Sequence, residues 1–142
     1  MAQKQNFTAT VAKWVRNSEA RLDGVHKEAT KRTIDIAQTP VAKGGRMRVD
    51  TGFLRASGQA SLTGMPSGPS RGEKTGKYDF NPNAATATIA GAKLGGKIWF
   101  GWTANYARPR EAKDAFLRMA LQQWPATVNA VVAELKRRIT NQ

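Results

Sequence analysis

The chain contains no cysteine and one histidine, and its ten carboxylates stand against 23 lysines and arginines. Without cysteine there is no disulfide, no thiolate nucleophile and no thiolate metal ligand, a composition compatible with a reducing compartment. The single histidine, His26, sits beside Val25 near an apolar helical stripe, and any acid–base or metal role would need partners from elsewhere in the fold. It reads as a surface or half-buried helix residue. The carboxylates are scattered, and no local spacing among them proposes an acid–base pair. Also missing is a run of roughly 20 apolar residues that could span a bilayer. The opening residues, MAQKQNFTATVAKW, lack the continuous apolar stretch of a signal peptide. The expectation is a soluble protein made in the cytoplasm, with no membrane partner.

What is abundant is positive charge. A formal net charge of +13 on 142 residues repels itself unless it meets an anionic partner such as nucleic acid or an acidic protein surface. The length fits one domain with a single core.

Residues 1 to 40 read as one long amphipathic helix, since Phe7, Val11, Trp14, Ser18, Leu22, Val25, Ala29 and Ile36 recur at steps of three, four or seven. Gly24 weakens it, and Pro40 closes it. The stretch Lys43-Gly44-Gly45-Arg46-Met47-Arg48 reads as a mobile basic turn. Asp50 is placed to cap a short helical turn that carries Phe53 and Leu54 to the core, and GQASLTGM reads as a strand. Residues 64 to 83, rich in Gly, Pro, Ser and Lys and including Arg71 and Lys74, read as a long flexible surface arm. Residues 85 to 103 show two alternating segments around a glycine turn, the signature of a β-hairpin. Ile98, Phe100 and Trp102 share one face of it and Trp99 lies on the other. Residues 109 to 140 read as helical, with Pro125 at the start of the last segment. The predicted fold is therefore α+β: a long N-terminal helix, a small antiparallel sheet with a hairpin and a long loop, and C-terminal helices.

Little here proposes chemistry. GAKLGGKI nearly matches a phosphate loop, but Ile98 occupies the hydroxyl position and a strand follows where the motif needs a helix. The basic residues form three clusters, Lys43/Arg46/Arg48, Arg108/Arg110/Lys113 and Lys136 to Arg138, which could neutralise phosphates if they converged. Trp14 and Trp124 lie on apolar helical stripes and read as core rather than as base-stacking platforms.

VDTGFLRAS, together with YARPREAKDAFLRMALQQW and the terminal helix, resembles the tailed-bacteriophage neck and tail-completion proteins known as the HK97 gp10-like family, related to minor tail protein Z. Asp50, Thr51, Gly52, Leu54, Arg55 and Ser57 match its first motif, and Tyr106, Ala107 and Glu111 match its second. Many relatives carry a glycine after that carboxylate, which this chain lacks. The resemblance implies a non-enzymatic virion protein without cofactors. It would act at the head–tail junction as a ring, of six copies to match the tail tube, in contact with neighbouring neck and tail-tube proteins and with DNA in the channel. On this reading Asp50 caps the turn, Gly52 permits close approach, Arg55 stays free for an acidic group, and the arm reaches adjoining subunits. The candidate interface or DNA-facing residues are Lys43, Arg46, Arg48, Arg71, Lys74, Trp99, Arg108 and Arg110. The alternative expectation is a basic domain that binds nucleic acid without sequence preference.

Overall fold

The computed structural model describes the backbone from residue 2 to residue 141 and the side chains from Phe7 onward. The fold is α+β, with a long first helix, a two-stranded antiparallel sheet and a helical C-terminal third. Helix α1 (Ala2–Gln38) runs unbroken through Gly24 for roughly 55 Å at 1.5 Å per residue. Its second half carries the buried face: Ala29, Thr33, Ile34, Ala37 and Gln38 are all under a tenth exposed. That face packs on α5 (Phe116–Gln122), α6 (Trp124–Thr140) and α3 (Pro82–Ala90).

Helix α6 starts with Pro125 in its first turn, where a missing N–H costs nothing. It runs antiparallel to α1, since Arg32 meets Glu134 while Arg21 and Gly24 lie opposite Arg138. As α6 ends at Thr140, the first 18 or so residues of α1 pass beyond it, an overhang of roughly 27 Å. Phe7, Val11, Trp14 and Leu22, read as the start of a buried stripe, are 70%, 44%, 67% and 64% exposed. The periodicity was real, but α6 ends before it reaches Phe7, Val11 and Trp14.

Met47 anchors the next segment. It is fully buried, accepts from Val41 N–H at 3.0 Å and donates to Thr39 at 3.3 Å. The basic loop is therefore tied at its neck, with a 3-10 turn at Val41–Lys43 and Gly45 N–H bonded to the Pro40 carbonyl at 2.9 Å. It is not the loose turn expected from its glycines. Phe53 and Leu54, on the one-turn helix α2 (Phe53–Ala56), join Met47, Ala104 and Phe116 in the core, where each such large side chain contributes about 1.5–3 kcal/mol.

Strand β1 (Gly58–Ser61) pairs with β2 (Trp99–Trp102) in the register Gly58↔Trp102 and Ser61↔Trp99. This replaces the expected hairpin. Residues 82 to 90 form α3, because Asn81 caps the segment by accepting from Asn83 and Ala84 N–H and Pro82 sits in the first turn. The alternation in AATATIA is equally compatible with helix, where alanine is the best former; the true partner of β2 lies far back in the chain. One sheet face carries Phe100 and Trp102, which extend an edge-to-face aromatic series from Phe80 to Phe116. On the other face Met65 and Pro66 lie against Gly101 and Trp99 is half-buried. The chain's own loop thus covers much of the face assigned to a neighbour or to the helices.

Candidate functional site

The 64 to 83 segment begins with the same loop, and it lies along its own domain. Asn105 N–H bonds the Ser70 carbonyl at 2.8 Å, Thr103 Oγ1 bonds the Pro69 carbonyl at 2.7 Å, and Tyr78 N–H bonds the Thr51 carbonyl at 2.9 Å. Its last two residues already belong to α3. Multiple attachments of this kind fix a loop that composition alone reads as an arm.

Thr51 and Gly52 are the residues that hold it. Gly52 has φ +86°, and a Cβ there would sit 2.2 Å from the Tyr78 carbonyl oxygen. Only glycine combines that left-handed backbone with that approach. Thr51 Oγ1 accepts from Phe53 N–H at 3.2 Å, in the role expected of Asp50. Asp50 itself is exposed, and Gly52 is the cap residue of α2, with no side-chain cap bond. The sequence reading missed by one residue because a threonine two positions before the amide closes the same kind of local ring as an aspartate.

Ser57 ends the motif and is buried. Its hydroxyl donates to the Leu54 carbonyl at 2.7 Å, and its carbonyl accepts from Thr103 N–H at 3.2 Å, joining α2 to the sheet. Arg55 is not free. Its Nε donates to the Gln38 carbonyl at 2.8 Å and its guanidinium lies 5.6 Å from the centre of the Phe80 ring. Gln38, 2% exposed, returns the contact by donating to the Arg55 carbonyl at 2.8 Å and accepting from Trp102 Nε1 at 2.9 Å. A glutamine at the end of a helix carries no sequence signal for this; only the fold brings these elements to it.

The second motif meets the first. Tyr106, the residue before α4 (Ala107–Asp114), borders the same cavity as Leu54. Burial pushes the Tyr106 phenol above its ordinary value and the nearby Asp50 carboxylate adds to this, against the opposing pull of the Leu54 N–H. Ala107 packs on the core. Glu111 reaches forward to accept from the Leu117 and Arg118 N–H groups at 2.8 and 3.0 Å, capping α5. Ala115 makes the intervening turn at φ 55°, so the chain adopts the left-handed conformation without a glycine.

The first half of the first motif and Tyr106 of the second border a shallow cavity of about 390 Å³ lined by Arg48, Asp50, Thr51, Gly52, Tyr106 and Arg110 among others. Lys74 borders the adjoining depression with Glu73 and Tyr106. Arg110 binds Asp114 through two nitrogens at 3.0 and 2.5 Å, and Arg48 approaches the same carboxylate at 3.6 Å. One residue of each of the first two basic clusters, Arg48 and Arg110, therefore meets at Asp114, while Arg138 of the third lies at the α1–α6 groove. Lys43, Arg46, Arg71 and Arg108 are exposed.

Among the described residues no group of three or more His, Asp or Glu side chains is placed to hold a metal ion, and no helix is long and apolar enough to cross a membrane. No protein-family model, curated protein or solved structure matches the chain.

Proposed function

We propose that the chain is a structural subunit of a tailed-bacteriophage virion, made in the bacterial cytoplasm. It forms a ring at the head–tail junction that completes or terminates the tail and joins it to the head. The observation that carries this reading is the α1 overhang, where Phe7 and Trp14 are about two-thirds exposed. Contiguous apolar surface of that kind marks an assembly interface, and a subunit built to be completed by neighbours accounts for it. The motif residues Thr51, Gly52, Arg55, Ser57 and Glu111 support the same reading, since they are occupied in holding the loop, α1, the sheet and α5 together, whereas Asp50 stays exposed.

In this role the partners are further copies in a ring of six, the adjoining neck and tail-tube proteins, and DNA in the channel facing Lys43, Arg46, Arg48 and Arg108. Electron microscopy of particles from a phage lacking this gene tests it. Filled heads separate from tails, or tails of uncontrolled length, are expected; normal infectious virions would overturn the assignment.

The exposure of Lys43, Arg46, Arg71 and Arg108 favours a second reading, a basic domain that binds nucleic acid without sequence preference. That reading expects affinity for arbitrary duplex DNA to fall by about 10³–10⁵ between 50 and 200 mM salt for six to ten phosphate contacts.

A further inference from the structure

The stripe through Ala29, Val25, Leu22, Ser18, Trp14, Val11 and Phe7 is buried at Ala29 and half-buried at Val25, and is bare at Leu22, Trp14, Val11 and Phe7. At 100° per residue Phe7, Val11, Trp14 and Ser18 lie within about 60° of one another, whereas Lys13 and Arg16 point to the opposite side. The bare ridge therefore carries little of the subunit's charge. Beside the covered part, a groove of about 390 Å³ runs between α1 and α6. Gly24, Val25, Val131 and Leu135 line it with apolar groups, and Arg21, Glu28, Arg32, Glu134 and Arg138 line it with charged ones. A side chain on Gly24 would meet nothing within 4 Å. The groove is thus open at the one position where the helix carries no side chain.

We infer that the α1 overhang of one copy seats in the α1–α6 groove of the next, with Trp14 over Gly24. The occupant is a second copy because this chain supplies both halves at different places: an exposed ridge of Phe7, Val11 and Trp14, and a groove whose apolar strip of Val25, Val131 and Leu135 is open at Gly24. Joining different patches gives a head-to-tail contact, which propagates to a ring or a filament rather than stopping at a dimer. The exposed area of Phe7, Val11, Trp14 and Val15 comes to roughly 400 Å² on one copy, taking aromatics at about 150–250 Å² each. With a similar share from the groove the contact stays below the roughly 1,000 Å² of a stable specific interface. It is a weak contact in free subunits that a closed ring reinforces. The inference rests on the ring reading for its biological place.

The absence of cysteine makes a clean test. Val11 and Gly24 are 13 residues apart on one helix, about 20 Å, far beyond the roughly 4.4–6.8 Å Cα separation that a disulfide spans. Any disulfide between cysteines at these positions must therefore join two copies. Full-length Val11→Cys and Gly24→Cys proteins, mixed at hundreds of micromolar under mild oxidant, should give the mixed dimer, and the double variant a ladder of dimers, trimers and larger species. Gly24→Leu, which fills the groove and favours helix, should weaken self-association in sedimentation at least about tenfold with helicity unchanged in circular dichroism. Val11→Cys homodimers in place of the mixed species would mean that two overhangs pair symmetrically, and would overturn the inference. So would the absence of crosslinks, or Gly24→Leu association equal to wild type. Particle microscopy judges the neck assignment whatever the crosslinks give, so the two fail separately.

Discussion

Gly52 and Tyr78 meet backbone to backbone: the glycine, at φ +86°, leaves the Tyr78 carbonyl where a Cβ would otherwise sit, while Tyr78 N–H bonds the carbonyl of Thr51. This contact fastens the long loop to the motif. Gly52→Ala should cost more than the roughly 1–2 kcal/mol of left-handed strain alone, because the 2.2 Å approach is to backbone that cannot swing away. A urea titration should show a lower midpoint with a total loss of about 2–4 kcal/mol. A loss below 1 kcal/mol would mean that the loop is not held here.

Thr51 and Asp50 should separate just as clearly. Asp50 is exposed and makes no cap bond, so Asp50→Ala should stay within about 0.5 kcal/mol of wild type, the range of ordinary surface substitutions. Thr51→Val removes the acceptor for Phe53 N–H and should cost about 1 kcal/mol. Asp50→Ala should also lower the Tyr106 pKa, since the carboxylate helps to raise it. Ultraviolet titration of tyrosinate in the two proteins checks the direction.

The long first helix, the short α2 turn with buried Phe53 and Leu54, and the helical C-terminal third could be read from periodicity, since each is local. The strand partner of β2 could not: Gly58 and Trp102 are 44 residues apart, and alternation in 85 to 90 offers a nearer, wrong partner. Burial failed for the same reason at Phe7 and Trp14, whose stripe is correct but whose covering helix stops short. At the site, the motif residues and the roles of Gly52, Phe53 and Leu54 could be read, whereas the cap falls to Thr51 rather than Asp50 and Arg55 is engaged rather than free. Arg55 and Glu111 act on Gln38 and α5, and sequence separation says nothing of either contact.

Glu111 and Ala115 build the α4–α5 corner together. Glu111→Ala removes the acceptor of two N–H groups at the start of α5 and should cost about 1–2 kcal/mol. Ala115→Gly should stabilise by up to about 1 kcal/mol, because a left-handed alanine is strained where glycine is not. Thermal unfolding of both variants and of the double variant tests the corner as one unit; a destabilising Ala115→Gly would contradict it.

Gln38 is the buried hub of polar contacts between α1, α2 and β2. Gln38→Leu keeps the volume but leaves the Trp102 N–H and the Arg55 carbonyl without the partners they now have, at about 1–3 kcal/mol for each group that water cannot reach. Gln38→Glu keeps an acceptor for Trp102 and loses the donor to Arg55. It should therefore fall between wild type and Gln38→Leu in denaturant midpoint, unless burial of the new charge dominates, in which case the loss shrinks on acidification.

Arg32 joins α1 to α6 by two bonds to Glu134, at 3.2 and 2.6 Å, and by a third to Glu28 at 3.1 Å. The hydrogen bonds from Arg32 hold Glu134 below its ordinary 4.5. For Glu28, burial pushes upward, but Arg32 and Lys31 together bring it below the same value. The unfolded chain therefore binds more protons than the folded one in this range, and stability rises with pH. The contribution is complete above about pH 4.5 and is lost as pH falls through the lowered folded values. Glu134→Gln should flatten the dependence of melting temperature on pH below about pH 5 while changing it little in slope near neutrality. An equally steep acid limb in the variant would place the acid-sensitive contacts elsewhere than at this α1–α6 clamp.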